Sequence, residues 1–228
     1  MSRQIVLDTE TTGLSPKQGH RIIEIGCVEL INRRLTGNHF HYYINPERPV
    51  DEGAFNVHGI SDEFLADKPK FNAIADEFFN YINGAELVIH NAPFDVGFIE
   101  HEFNLYNKKL KKLQHYCQIT DTLMLARKLH PGQKNNLDIL CKRYNIVNFE
   151  RDLHGALLDS EILAQVYLAM TSGQSSLFGG PVQKTQVNET NTQAVKVDRQ
   201  HTLPTRVIKA TQEELEAHNA YLAAIRDC

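Results

Sequence analysis

The chain has 228 residues and a mass of 26.0 kDa, with 42% hydrophobic and 23% charged residues, a composition that supports one large folded domain and a smaller appendage. Its apolar runs fall far short of the roughly 18 residues of a membrane span, and its cysteines (Cys27, Cys117, Cys141, Cys228) form no CxxC pair. Membrane spans, zinc ribbons and disulfide scaffolds are excluded, Met1-Ser2-Arg3-Gln4 opens no signal-peptide core, and a reduced, cytoplasmic setting is expected. The net charge of −4 excludes a protein that grips nucleic acid by basic charge alone, unless metal ions or a partner supply the positive field.

Gln4–Thr9 reads as a short apolar strand. Ile22–Asn32 and Asn38–Ile44 read as two more, joined by a hairpin turn through Arg33-Arg34-Leu35-Thr36-Gly37. Helical spacing follows at Ser61-Asp62-Glu63-Phe64 and over Phe71–Ile82. Glu86–His90 is a buried strand ending in Asn91-Ala92-Pro93, after which Phe94–Phe103 is helical. Thr120 is expected to cap a helix that runs to about His130 and stops at Pro131-Gly132. Helices over Asn136–Tyr144 and Gly155–Met170 complete a mixed α/β sheet with helices on its faces.

Composition shifts near residue 171. Only seven residues from 172 to 200 are apolar (Leu177, Phe178, Val182, Val187, Ala194, Val195, Val197), which predicts a flexible linker. Residues 172–228 carry six basic and six acidic groups, so the whole net charge belongs to residues 1–171. Beyond the linker, Thr211-Gln212-Glu213-Glu214 reads as a helix start, followed by Leu215, His218, Tyr221, Leu222 and Ile225 at helical spacing.

Three segments end an element in acids. The first strand closes on Asp8-Thr9-Glu10, whose two carboxylates share a face by strand alternation and need a proton or a cation to coexist. Hard oxygens at a strand end suit Mg²⁺ or Mn²⁺, although solvated charge at an exposed end would look the same. Asp95 stands near the start of the helix after Asn91, where it also complements the helix dipole. Asp159 sits beside the apolar stripe of the last helix and needs a partner there. His154, five positions earlier, is placed on a loop or first turn and free to move.

The order D-x-E, a later Asp after an Asn-bearing strand end, then H-x₄-D resembles the DEDDh branch of the 3′→5′ exonuclease superfamily. Within that branch it is similar to the proofreading subunits of bacterial replicative DNA polymerases. Supporting runs are Ile5–Gly13, Ile23-Glu24-Ile25-Gly26, Phe55–Ile60, Thr120–Leu123 and His154–Asp159, and the likeness extends over about residues 3–170. One departure is Gly53, where the family commonly carries a glutamate; Glu52 is adjacent.

The resemblance implies a ribonuclease H-like five-stranded sheet over residues 1–171, a flexible linker over 172–202 and a polymerase-binding segment over 203–228. It implies two divalent cations, Mg²⁺ or Mn²⁺, with Asp8 shared between them, Glu10 and Asp159 on the one nearer the nucleophile and Asp95 orienting the other. It implies His154 as general base, since an imidazole of pKa about 6.5 accepts a proton at neutral pH. The 3′-terminal nucleotide would rest among Thr9, Thr12, Leu14, Val57, His58, Asn91 and Phe94. Gln174-Ser175-Ser176-Leu177-Phe178 resembles the short peptides that dock replication proteins on the sliding clamp, with Gln174, Ser176, Leu177 and Phe178 as the contacts. Further implied partners are a frayed DNA 3′ end, the polymerase alpha subunit and a small theta-like subunit.

A free-standing nuclease on small RNAs and an idle scaffold are the competing readings. The long tail weighs against the first, and the intact set Asp8, Glu10, Asp95, His154 and Asp159 weighs against the second.

Overall fold

A computed structural model describes residues 2–106, 110, 112–146, 153–172 and 212. The chain divides into units Met1–Leu177 and Phe178–Cys228, and the elements below belong to the first. The expected linker, clamp motif and polymerase-binding segment lie, apart from Ser172 and Gln212, outside the described residues.

Among the described residues five strands form one sheet: β1 (Arg3–Thr11), β2 (Ile22–Ile31), β3 (Arg34–Tyr43), β4 (Glu86–Ile89) and β5 (Gln118–Asp121), in the order β3-β2-β1-β4-β5. β1 pairs antiparallel with β2 and parallel with β4, which makes it the central strand. The helices are α1 (Glu52–His58), α2 (Asp62–Leu65), α3 (Phe71–Ile82), α4 (Ala92–Tyr106), α5 (Thr122–Leu129), α6 (Leu137–Arg143) and α7 (Ala156–Thr171). Alternation along β1 feeds two cores. Ile5 and Leu7 pack with Phe71, Phe78 and Phe98 of α3 and α4, while Val6 packs with Leu163, Ala164 and Tyr167 of α7. Among the described residues no helix is long and apolar enough to cross a membrane, and Cys27, Cys117 and Cys141 are buried and outside any disulfide.

Helix α3 spans the predicted range, and Asn136 and Ser61 cap α6 and α2 through their side chains. Two local expectations are corrected. The hairpin turn is two residues, Asn32 and Arg33, both left-handed (φ 50° and 65°), so residues from Arg34 onward already pair in β3. Thr120 does not cap α5. It lies in β5 and donates to Glu86 Oε1 at 2.6 Å, while the Asp121 carboxylate accepts from the amides of Leu123 and Met124. Short β5 contains one clearly apolar residue, Ile119, too little for periodicity to reveal it. Helix α1 was also not anticipated, because Gly53 and Val57 weaken helical spacing in a segment of seven residues.

Candidate active site

Strand β1 is apolar over Ile5–Leu7 and polar from Asp8 to Thr11, and the polar run delivers side chains to both faces of the sheet. Asp8 and Glu10 share the face of Val6, toward α7. Their cross-strand partners on β2 are Gly26 and Glu24 respectively. At Gly26 a Cβ would overlap the Leu157 nitrogen and the Ala156 carbonyl, so only a glycine lets the first turn of α7 lie this close to the sheet. Ser160 Oγ donates to the Gly26 carbonyl at 2.8 Å and fixes the contact.

That docking brings Asp159, 4% exposed, toward Glu10. Glu10, His154 and Asp159 each offer a ligand atom, and these atoms lie within 4.8 Å of one another. His154 precedes α7, as expected, but it is held rather than free. Its amide donates to the Val57 carbonyl at 3.1 Å, and its Nδ1 lies 2.9 Å from Asp159 Oδ2. An ionised carboxylate only accepts, so this contact puts the ring proton on Nδ1 and leaves the Nε2 lone pair as the basic atom.

Asp95 is not in that group. It sits in the first turn of α4, 3% exposed, and accepts from Thr9 Oγ1 at 2.7 Å. Burial pushes its pKa up to about 7, opposed by the Thr9 hydroxyl and assisted by the charge of Asp121. A folded-state pKa above the unfolded value of 3.8 means that the stability from this group is complete at acid pH and is lost as pH rises through about 7. In EDTA at alkaline pH, Asp95→Asn should therefore melt at a higher temperature than the parent chain. A lower melting temperature would show that the buried charge is not a cost.

Beside Glu10 opens a cavity of about 410 Å³. Of the residues expected to cradle a nucleotide, Thr9, Leu14, Val57, His58 and Phe94 line it. Leu14 is 85% exposed at the rim, whereas His58 is buried. His58 Nδ1 accepts from the Ile60 amide at 3.0 Å, and burial lowers its pKa, so the ring is neutral with its proton on Nε2. Thr12 and Asn91 are not among the lining residues. Thr12 is fully buried, with Oγ1 engaged by His20 Nδ1 and the Arg21 amide (both 3.1 Å), and Asn91 is exposed in the turn between β4 and α4. Gly53 lines the cavity, and a Cβ there would meet nothing within 4 Å.

Sequence reasoning missed His20 and Asp51, which also line the cavity, with His20 Nε2 3.5 Å from Asp51 Oδ2. His20 stands in no motif, and Asp51, beside Glu52, has no spacing that singles it out from a solvated acidic pair.

A family model described as an exonuclease, RNase T, matches residues 5–167. The chain is 54% identical to DNA polymerase III subunit epsilon of Escherichia coli K12, over 99% of this chain and 94% of that one. It is 53% identical to the subunit of the same name in Haemophilus influenzae, over 97% and 90%. Among solved structures it is similar to exonuclease X in complex with 5′-overhanging duplex DNA (TM-score 0.57, 29% identity, 73% of this chain and 90% of that one). It shares its fold with Escherichia coli exonuclease I in a zinc-bound complex with single-stranded DNA (TM-score 0.64, 20% identity, 76% and 41%).

Proposed function

The chain belongs to the RNase T exonuclease family, as a 3′→5′ proofreading exonuclease of the polymerase III epsilon type, and we propose how its residues remove a 3′-terminal deoxynucleotide. The observation that carries the proposal is the convergence of Glu10, His154 and Asp159 beside a cavity that Thr9, Leu14, Val57, His58 and Phe94 line.

The donor set fits a hard divalent cation. Carboxylates and an imidazole this close together repel or share protons unless a cation offsets them. Asp8, Glu10, Asp159 and Asp95 would hold two such ions, Mg²⁺ or Mn²⁺. When bound, the cations supply positive charge to the scissile phosphate and ease ionisation of the attacking water. They also answer the puzzle of a net-acidic chain acting on a polyanion.

The chain's own residues do the rest. His154 Nε2 takes the proton of the attacking water while Asp159 holds the Nδ1 proton and so the tautomer. Leu14, Val57 and Phe94 give the terminal base an apolar wall. His58, neutral, lines the same cavity, and Thr9 lines it between Asp8 and Glu10.

The chain works on DNA with a polymerase. In finer terms, the 203–228 segment would hold the polymerase alpha subunit, Gln174, Ser176, Leu177 and Phe178 would dock on the sliding clamp, and a theta-like subunit would join them. The linker over 172–202 then keeps the nuclease near the primer end by effective concentration.

The test compares a 3′-mispaired DNA primer with a short RNA, with and without Mg²⁺, for the parent chain and for His154→Ala. The substitution should lower kcat about 10²–10⁴-fold with a smaller change in KM, and should remove the neutral limb of the pH–rate profile. Parallel pH profiles for the two proteins would assign the proton to another acceptor. Preference for RNA over the mispaired primer would overturn the substrate assignment.

A further inference from the structure

We propose that Glu24 is a positioning residue for hydrolysis: from β2 it sets where the start of α7, with His154 and Asp159 on either side, rests against Glu10. The inference depends on the hydrolytic reading of that group.

Glu24 is an acid inside the sheet, 2% exposed, and such a charge persists only when its oxygens are satisfied. Both are. Oε2 accepts from the amide of Ala156 at 3.1 Å, and Oε1 lies 2.8 Å from His41 Nε2 on β3. Ala156 is the first residue of α7, so its amide is one of the donors that a helix cannot satisfy internally. The N-cap of α7 is Gly155, which has no side chain to serve as the cap. A carboxylate from another element therefore does the capping, 132 residues away in sequence.

The placement is specific. Ala156 stands two residues after His154 and three before Asp159, and Glu24 is the cross-strand partner of Glu10. One side chain thus joins β2, the strand paired with the one that carries Glu10, to the first residue of α7, which stands between the other two members of the group. Two residues further along β2, Gly26 receives Ser160, so the first turn of α7 is held at two successive points of one strand.

A shorter acid and an uncharged isostere separate reach from charge. Glu24→Asp keeps the charge but draws the oxygens back by one methylene; Glu24→Gln keeps an oxygen at full reach and loses the charge. In the full chain, Glu24→Asp should lower kcat about 10–100-fold with KM little changed, the usual cost of losing a group one layer behind the reacting atoms. Glu24→Gln should keep most of the kcat. In a His154→Ala background, Glu24→Asp should cost much less, because the two act through one arrangement. Melting curves locate a temperature at which every variant is folded, and the rates are compared there.

Full activity in Glu24→Asp, or the reverse order of the two variants, would overturn the proposal. So would an equal loss with and without His154. Full activity of His154→Ala would instead defeat the hydrolytic reading itself, and the two failures are told apart in one experiment.

Discussion

Asp159→Ala should lose hydrolysis by at least about 10³-fold. The substitution removes two things at once: a carboxylate proposed to hold a cation, and the acceptor 2.9 Å from His154 Nδ1 that sets the imidazole tautomer. Loss of one preorganised charge-stabilising group costs on the order of 10²–10³-fold, and a misdirected base adds to it. The fold should survive. Asp159 adds no apolar area to the core, and in the metal-free protein its charge is buried near that of Glu10. Its removal should leave the melting temperature in EDTA unchanged or raise it. Asp8→Ala should behave alike. The checks are hydrolysis of a mispaired primer in Mg²⁺ and a thermal melt in EDTA; an Asp159→Ala chain with nearly parental activity would remove the site from consideration.

The second large effect falls on a residue with no side chain. Gly26→Ala inserts a methyl group into the space of the Leu157 nitrogen and the Ala156 carbonyl, and backbone cannot swing away as a side chain can. The start of α7 must lift from β2, at a cost of about 1–3 kcal/mol of stability. Activity should fall further than stability suggests, because a displacement of about 1 Å at a reacting group can cost 10²-fold. Gly97→Ala is the control: Gly97 lies in α4, where a Cβ meets nothing within 4 Å, and alanine there is favoured over glycine in a helix. If Gly26→Ala kept both parental activity and melting temperature, the close approach of α7 to β2 would not be needed for hydrolysis.

Strands β1 and β2 and helices α3, α4 and α7 were legible because each combines a sustained apolar pattern with clear end signals, whereas the start of β3 was hidden by the polar, exposed run from Arg34 to Gly37. Helix α1 and strand β5 were not, being short and poor in apolar residues. The site was legible in its acids, since paired charge at the end of a buried strand is conspicuous. Its supports were not. Glu24 reads as one charge among isoleucines, and its partners, the Ala156 amide and His41, are a main-chain group and a side chain that only the folded sheet brings within reach. A faint signal did exist: a glycine inside the β-branched run Ile22–Ile31 marks a place where another backbone comes close, here α7 at Gly26.

The β1–β2 pairing joins near neighbours in the chain, whereas α7 reaches those same strands across more than a hundred residues, as the Ala156–Glu24 and Ser160–Gly26 contacts show. Ordering a chain that long before contact is made is an entropic barrier, so seating α7 is expected among the late events of folding. The acids of β1 come early and their complement comes last. A chain still emerging from synthesis, or one cut ahead of α7, would hold half of the hydrolytic group and be inert toward DNA until the remainder arrived.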